Sequence, residues 1–221
     1  MKHNNYIEDL YKVRFTKKEL KDKILVWEIL TKSFFQKYVK PSDVVLDVGA
    51  GYCEFINNLK AKKKIALDIN KDIYKFANKD IEVVINKCSD MKNIKNESVD
   101  VVFISNVLEH LQGAEEIEMT LRESRRVLKN RGLLLILQPN IKYAYKDYWD
   151  FFDHVVPLSH KGTTEALLKT GFKIVEVRPK FLPYSSRTSL PKWKILIKFY
   201  LKFRFIQNIF GKQMFVVARK E

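Results

Sequence analysis

Three aspartates stand at or just past the ends of short apolar runs. Asp47 follows Val44-Val45-Leu46, Asp68 follows Ile65-Ala66-Leu67, and Asp90 comes five residues after Ile81–Ile85. Gly49 and Gly51, one residue apart, follow the first of them and lead into a helix-like pattern from Tyr52 to Leu59. A buried strand that stops in a glycine turn and starts a helix is a cradle for a nucleotide-like ligand. Glycine admits positive φ and close approach, and the N–H groups of the new helix face the pocket. Glu54 takes the place of the third glycine of a dinucleotide fingerprint, so negative charge sits where a pyrophosphate would lie. No GxxxxGK[ST] run is present either. A nucleoside without phosphates suits these acids better. Asp68 is spaced to accept from two ribose hydroxyls, Asp90 from an adenine amino group, and Asp47 faces the cationic end of the ligand. Capping a helix or turn is the alternative role for each acid.

Imidazoles supply the second set of chemistry-bearing groups. A hydroxyl nucleophile must lose a proton, and histidine is the side chain best matched to accept it near neutral pH. His154, in Asp150-Phe151-Phe152-Asp153-His154, is the first candidate base, with Asp150 or Asp153 available to orient it. His110, in Asn106-Val107-Leu108-Glu109-His110, is the second, with a structural hydrogen bond as the competing role. His160 adjoins Ser159 and reads as part of a helix start. The aromatics Tyr143, Tyr145, Tyr148, Trp149, Phe151 and Phe152 suit an acceptor with flat or sugar-like faces, or else form a lid's own small core. Cys53 and Cys88 have neither zinc spacing nor a disulfide framework, so no metal site is expected and a reducing, cytoplasmic setting is.

The elements that must position these residues follow from periodicity. Leu20, Ile24, Trp27, Leu30, Phe34 and Tyr38 recur at three- and four-residue steps, predicting one amphipathic helix over 17–40 that ends before Pro41. Strands are expected from Val44, at 64–68, 81–85, 99–105, 132–137, 172–177 and 213–218. Helices are expected at 52–59, 70–78 with Asn70 as N-cap, 115–128 and 163–170. Strand and helix alternate with short connections, the pattern of a doubly wound α/β sheet.

The ordered segments Asp47-Val48-Gly49-Ala50-Gly51, Leu67-Asp68, Ser89-Asp90-Met91, Ser105-Asn106-Val107-Leu108-Glu109-His110 and Arg126-Val127-Leu128-Lys129 resemble the motifs of class I S-adenosylmethionine-dependent methyltransferases. The likeness is to the small-molecule type 11 and type 23 branch and covers about residues 41–178 plus the final strand. It implies a seven-stranded, mostly parallel Rossmann-like sheet whose last strand is antiparallel in a hairpin with the sixth. It also implies S-adenosyl-L-methionine as cofactor and S-adenosyl-L-homocysteine as product. Cofactor contacts are implied from Asp47, Gly49, Ala50 and Gly51, from Asp68 and Ile69, from Ser89, Asp90 and Met91, and from Asn106 and Val107. Residues 1–40 then form a helical lid, with Tyr11, Arg14 and Phe15 closing over the cofactor, and 41–221 the methyltransferase domain. Two departures stand out: Cys53 where many relatives have a small glycine, and Asn130-Arg131 in place of Pro-Gly. No Asn/Asp-Pro-Pro-aromatic run follows the fourth strand, which counts against base N-methylation.

The net charge of +15 is unevenly placed: Arg178 to Lys220 holds eleven Lys/Arg and no Asp or Glu. An anionic partner is therefore expected locally, at the basic insert 179–211, rather than along a nucleic-acid groove. Lys192 to Phe210 reads as one helix with Lys194, Lys198 and Lys202 in line and more apolar residues than a single stripe on the sheet can hide. An anionic membrane surface or a homodimer contact would take the remainder. No segment has the 18 uncharged apolar residues of a transmembrane helix, and Met1-Lys2-His3-Asn4-Asn5 lacks the apolar core of a secretory signal. The expectation is a cytoplasmic enzyme, peripheral to the inner face of a membrane, that O-methylates a small molecule, a saccharide or a lipid-linked precursor. An RNA methyltransferase using the basic segment, and a cofactor-binding regulatory protein without catalysis, are the alternatives.

Overall fold

In the computed structural model, residues 17–184 and 194–221 are described. Seven strands, β1 (Val44–Val48), β2 (Lys63–Asp68), β3 (Ile81–Ile85), β4 (Val99–Ser105), β5 (Leu128–Pro139), β6 (Phe172–Leu182) and β7 (Gln213–Lys220), form one sheet in the order β3-β2-β1-β4-β5-β7-β6. Neighbours from β3 to β5 pair in parallel, and β7 runs antiparallel between β5 and β6. The doubly wound sheet with an antiparallel last strand is the expected fold.

Alternate residues of a strand point to opposite faces, and here both sets are apolar because both faces are covered. Val102 and Ile104 of β4, Leu134 and Ile136 of β5, and Met214 and Val216 of β7 belong to one core. Val101 and Phe103, Leu135 and Leu137, and Phe215 and Val217 belong to the other. The first core is closed by α3 (Ala114–Val127), whose Ile117, Thr120, Leu121, Ser124 and Val127 form a buried stripe at helical spacing. Glu115 and Glu116 in its first turn and Arg125 and Arg126 in its last suit the helix dipole. After the single-turn α4 (Ile141–Ala144), α5 (His160–Lys169) covers the same face through Leu167, capped by the Ser159 hydroxyl accepting from the Gly162 N–H at 3.2 Å.

The opposite face is more aromatic. Phe34, Phe35, Phe55, Phe103, Phe181 and Phe215 form a continuous set of ring contacts, joined by Trp27. They are supplied by α1 (Lys17–Ser33) and the 3-10 turn Phe35–Tyr38 after it, by the single-turn helix α2 (Glu54–Asn57), and by β4, β6 and β7. The expected helix over 17–40 is thus two pieces, since Phe34 turns out of the helix to stack its ring on Phe181 at 4.4 Å. The expected helix at 70–78 is a shorter 3-10 turn, Lys71–Lys75, with Asn70 capping it as anticipated.

The basic segment also differs from expectation. β6 continues to Leu182, so the insert starts later than residue 179. Beyond it lie two helices, α6 (Lys194–Lys202) and α7 (Arg204–Phe210), where one was predicted, and residues 185–193, with the start of that predicted helix, lie outside the described residues. Phe203 is extended between them, and Gln207, buried on α7, donates to the Tyr200 and Leu201 carbonyls that the break leaves open.

Candidate active site

Between β1 and β4 the strand order reverses direction, opening a crevice at the carboxyl ends of the strands, where open α/β sheets bind ligands. The turn after β1 is shaped for that crevice. Gly49 and Gly51 have φ of 68° and 51°, and a Cβ on Gly49 would stand 2.4 Å from Val107 Cγ2. Val107 is thus the wall behind the turn. Cys53 adopts φ 58° as well, a conformation that glycine takes without strain. It is fully buried, and burial pushes its thiol up to about 12.

Asp68 ties the turn to the next strand. Its carboxylate accepts from the Gly51 N–H and the Asn70 N–H, each at 2.8 Å. Burial raises its pKa, and the N–H groups of Asn70, Gly51 and Ile69 work against that rise. Asp47 is the most buried acid of the site, 3% exposed. Burial holds its carboxyl well above the usual carboxylate range, and the charges of Glu54 and Asp68 push it further the same way. Three carboxylates around one crevice make a site that favours a cation.

A cleft of about 530 Å³, including its open mouth, lies against these groups. Its lining joins Asp47, Gly49, Ala50 and Gly51 to Ser105 and Asn106 from the end of β4. Phe55 and Phe103 form an aromatic floor, stacked with centroids 3.9 Å apart. Several lining residues were not expected cofactor contacts, among them Phe55 and Phe103 and, four apart on one face of α1, Lys23 and Trp27. Lys23 pairs with Glu54 at 2.9 Å and lies over the Tyr52 ring. Glu54 therefore acts less as a bare repulsive charge than its position in the sequence suggested. The available signal is the i, i+4 spacing of Lys23 and Trp27 on the expected helix. Tyr11, Arg14 and Phe15 lie outside the described residues.

Ile69, Ser89, Asp90 and Met91 are not among the residues that line this cleft. Ile69 is exposed just past β2. Ser89 bonds Glu116, and Asp90 is a half-exposed acid whose carboxylate pairs with Lys92 at 3.1 Å, which lowers its pKa. The Met91 side chain is fully buried in the core, and its N–H donates to Glu123. That side chain is a packing element of the core. The loop is held by Arg126, whose guanidinium donates to the carbonyls of Met91 and Ile94 and forks onto Glu123. Asn106, with φ 51°, ends β4 by donating its N–H to the Leu137 carbonyl.

Three residues beyond Asn106 the chain reaches a second group. A 3-10 turn, Leu108–His110, carries Glu109 and His110, and the segment after β5 brings His154 against them. The His110 and His154 rings have centroids 5.0 Å apart. His110 Nδ1 lies 2.9 Å from the Asp153 carbonyl and 3.3 Å from its carboxylate. His154 Nδ1 lies 3.4 Å from the Tyr184 hydroxyl, with the ring packed on Tyr148 and Phe151. One donor atom from each of Glu109, His110 and His154 falls within 4.8 Å of the others. His160 instead bonds Asn140 at 3.0 Å, and burial lowers its pKa. In the aromatic segment Tyr148 is buried, while Tyr145, Trp149 and Phe152 are exposed.

With this geometry in hand, comparison with known proteins is specific. Residues 46–136 match the family model described as a methyltransferase domain. Two uncharacterized proteins of Methanocaldococcus jannaschii are similar. MJ0638 is 33% identical over 158 residues, 69% of this chain and 65% of that protein. MJ1123 is 31% identical over 159 residues, 67% of this chain and 75% of that protein. The chain therefore spans slightly under two thirds of the first relative's length. Among solved structures, a SAM dependent methyltransferase from Archaeoglobus fulgidus superposes with a TM-score of 0.69 at 23% identity, covering 97% of this chain and 99% of the other.

Proposed function

Since this chain belongs to the class I S-adenosylmethionine-dependent methyltransferases, we propose that it methylates a hydroxyl oxygen of a small or lipid-linked acceptor. The observation that carries the reading is the placement of two groups on one segment: the acid-lined cleft at Asn106 and, three residues on, the Glu109, His110 and His154 cluster. The residues fit the cofactor. Asp47 suits its cationic end, Asp68 its ribose hydroxyls, and the positive-φ turn through Gly49 and Gly51 a close approach to the backbone. When bound there, S-adenosylmethionine supplies a methyl group on positively charged sulfur, open to displacement by a nucleophile. The chain's own work is then orientation and proton handling. Trp27, Phe55 and Phe103 keep water from the cleft floor, and the imidazole cluster deals with the acceptor's proton.

The lipid-linked reading draws on the outer face of α6 and α7. Ile195 is 81% and Ile209 66% exposed, with Phe199, Phe205 and Phe210 also exposed beside Lys194, Lys198 and Lys202. A membrane surface would cover such a basic, apolar face. No helix among the described residues is long and apolar enough to cross a membrane.

Incubation with methyl-labelled S-adenosylmethionine and fractionated cell extract tests the proposal. Label in a lipid or small-molecule fraction, stable to conditions that cleave N-methylated RNA, is the expected result. Label confined to RNA would replace this reading with nucleic-acid methylation. Tight cofactor binding without label in any fraction would leave a binding protein.

A further inference from the structure

We infer that Glu109, His110 and His154 form a binding site for a divalent transition-metal ion of the zinc, cobalt or nickel kind, placed to hold the acceptor's oxygen beside the cofactor cleft. Two nitrogens and one carboxylate oxygen are a donor set for such ions and a poor one for magnesium or calcium. The donor atoms already lie within 4.8 Å of one another. Ligands about 2.1 Å from a tetrahedral ion stand roughly 3.4 Å apart, so small side-chain rotations close the site.

The second observation is how the donors are oriented. With His110 Nδ1 against the Asp153 carbonyl and carboxylate, that nitrogen carries the proton and Nε2 presents its lone pair. A histidine fixed in this way is the usual outer support of a metal ligand. The two ligand-bearing segments are also clamped together, because the Val155 and Val156 N–H groups both donate to the Glu109 carbonyl, at 2.8 and 3.1 Å. His154 precedes them directly. Glu109 is 2% exposed. A dication would balance that buried charge. Three protein ligands leave positions open, and a hydroxyl held at one of them loses its proton more readily. The ion would thus do what an imidazole base was expected to do. Its purpose rests on the methyl-transfer reading, but its existence does not.

The test uses the 221-residue chain, tag-free and stripped of metal with EDTA. Titration with cobalt(II) is followed by visible absorption, and with zinc(II) by calorimetry. One ion per chain with a tetrahedral cobalt spectrum is expected. Glu109→Gln and His154→Ala should each weaken binding at least a hundredfold, and Asp153→Ala by roughly ten- to a hundredfold. Circular dichroism and S-adenosylhomocysteine calorimetry confirm that each variant is folded; should His154→Ala not fold, His154→Gln takes its place. Wild-type protein that binds no stoichiometric ion, or binds it equally well without Glu109 and His154, overturns the metal site. In either case intact S-adenosylhomocysteine binding leaves the methyltransferase reading standing. Stoichiometric metal with no S-adenosylhomocysteine binding would keep the metal site and remove that reading.

Discussion

Asp47 carries a carboxyl buried near the end of β1, 3% exposed. Its carboxyl ionises less readily in the folded chain than unfolded, so the fold binds that proton more tightly. The sign follows from linkage. Stability is unaffected below the ordinary carboxylate pKa, falls as pH rises through the interval up to the raised folded value, and stays lower above it. Asp47→Asn should therefore raise the melting temperature of the unliganded protein at pH 8 by several degrees, and by nothing at pH 3.5, in scanning calorimetry. The same change should weaken S-adenosylmethionine binding roughly ten- to a hundredfold, the worth of one charge-assisted hydrogen bond. Unchanged affinity would remove Asp47 from the site. Cys53 offers a simpler check: a buried thiol pushed up to about 12 should resist alkylation at pH 8 in the native protein and react once unfolded.

At the scale of elements, the glycine turn and the loop after β3 are held by opposite means. The turn depends on the absence of side chains. Gly49→Ala combines positive φ with a clash on Val107, so a loss of about 2–4 kcal/mol and of cofactor binding is expected in denaturant melts. Removing the bulk with Val107→Ala should restore part of this loss, since the φ penalty remains. The loop depends instead on one long side chain, Arg126, reaching two carbonyls and Glu123. Arg126→Ala should leave the sheet intact while amide exchange quickens over 89–96.

Across the whole molecule, charge and apolar exposure concentrate on the side bearing α6 and α7. If that face meets a membrane, the protein should cosediment with vesicles containing anionic lipid at low salt and be released by high salt. Replacing Ile195 and Phe199 with serine should weaken this at least tenfold. Failure to bind any vesicle, with the same face buried in a solution dimer, would assign it to self-association.

Much of this architecture was legible because burial imposes periodicity. Strands covered on both faces must be apolar throughout, as in Val99–Ser105, and helices such as Ala114–Val127 must show a stripe. The acids Asp47 and Asp68 could be placed because strand ends in a parallel sheet converge on one edge. Local contacts such as the Asn70 cap and the Ser159 helix start were likewise written into adjacent residues. What lay beyond the sequence was every contact between segments with no shared period: Lys23 meeting Glu54, Arg126 reaching Met91, and Phe34 leaving its helix for Phe181. The cluster of Glu109, His110 and His154 belongs here too. Its histidines, His110 and His154, are 44 positions apart, and no ligand spacing joins them; only the adjacency of β4 and β5 does. The sequence by itself determined the sheet and the cofactor's cradle, because both follow from local pattern. Only the tertiary structure decided what surrounds the acceptor, because that chemistry is assembled from loops that meet through packing.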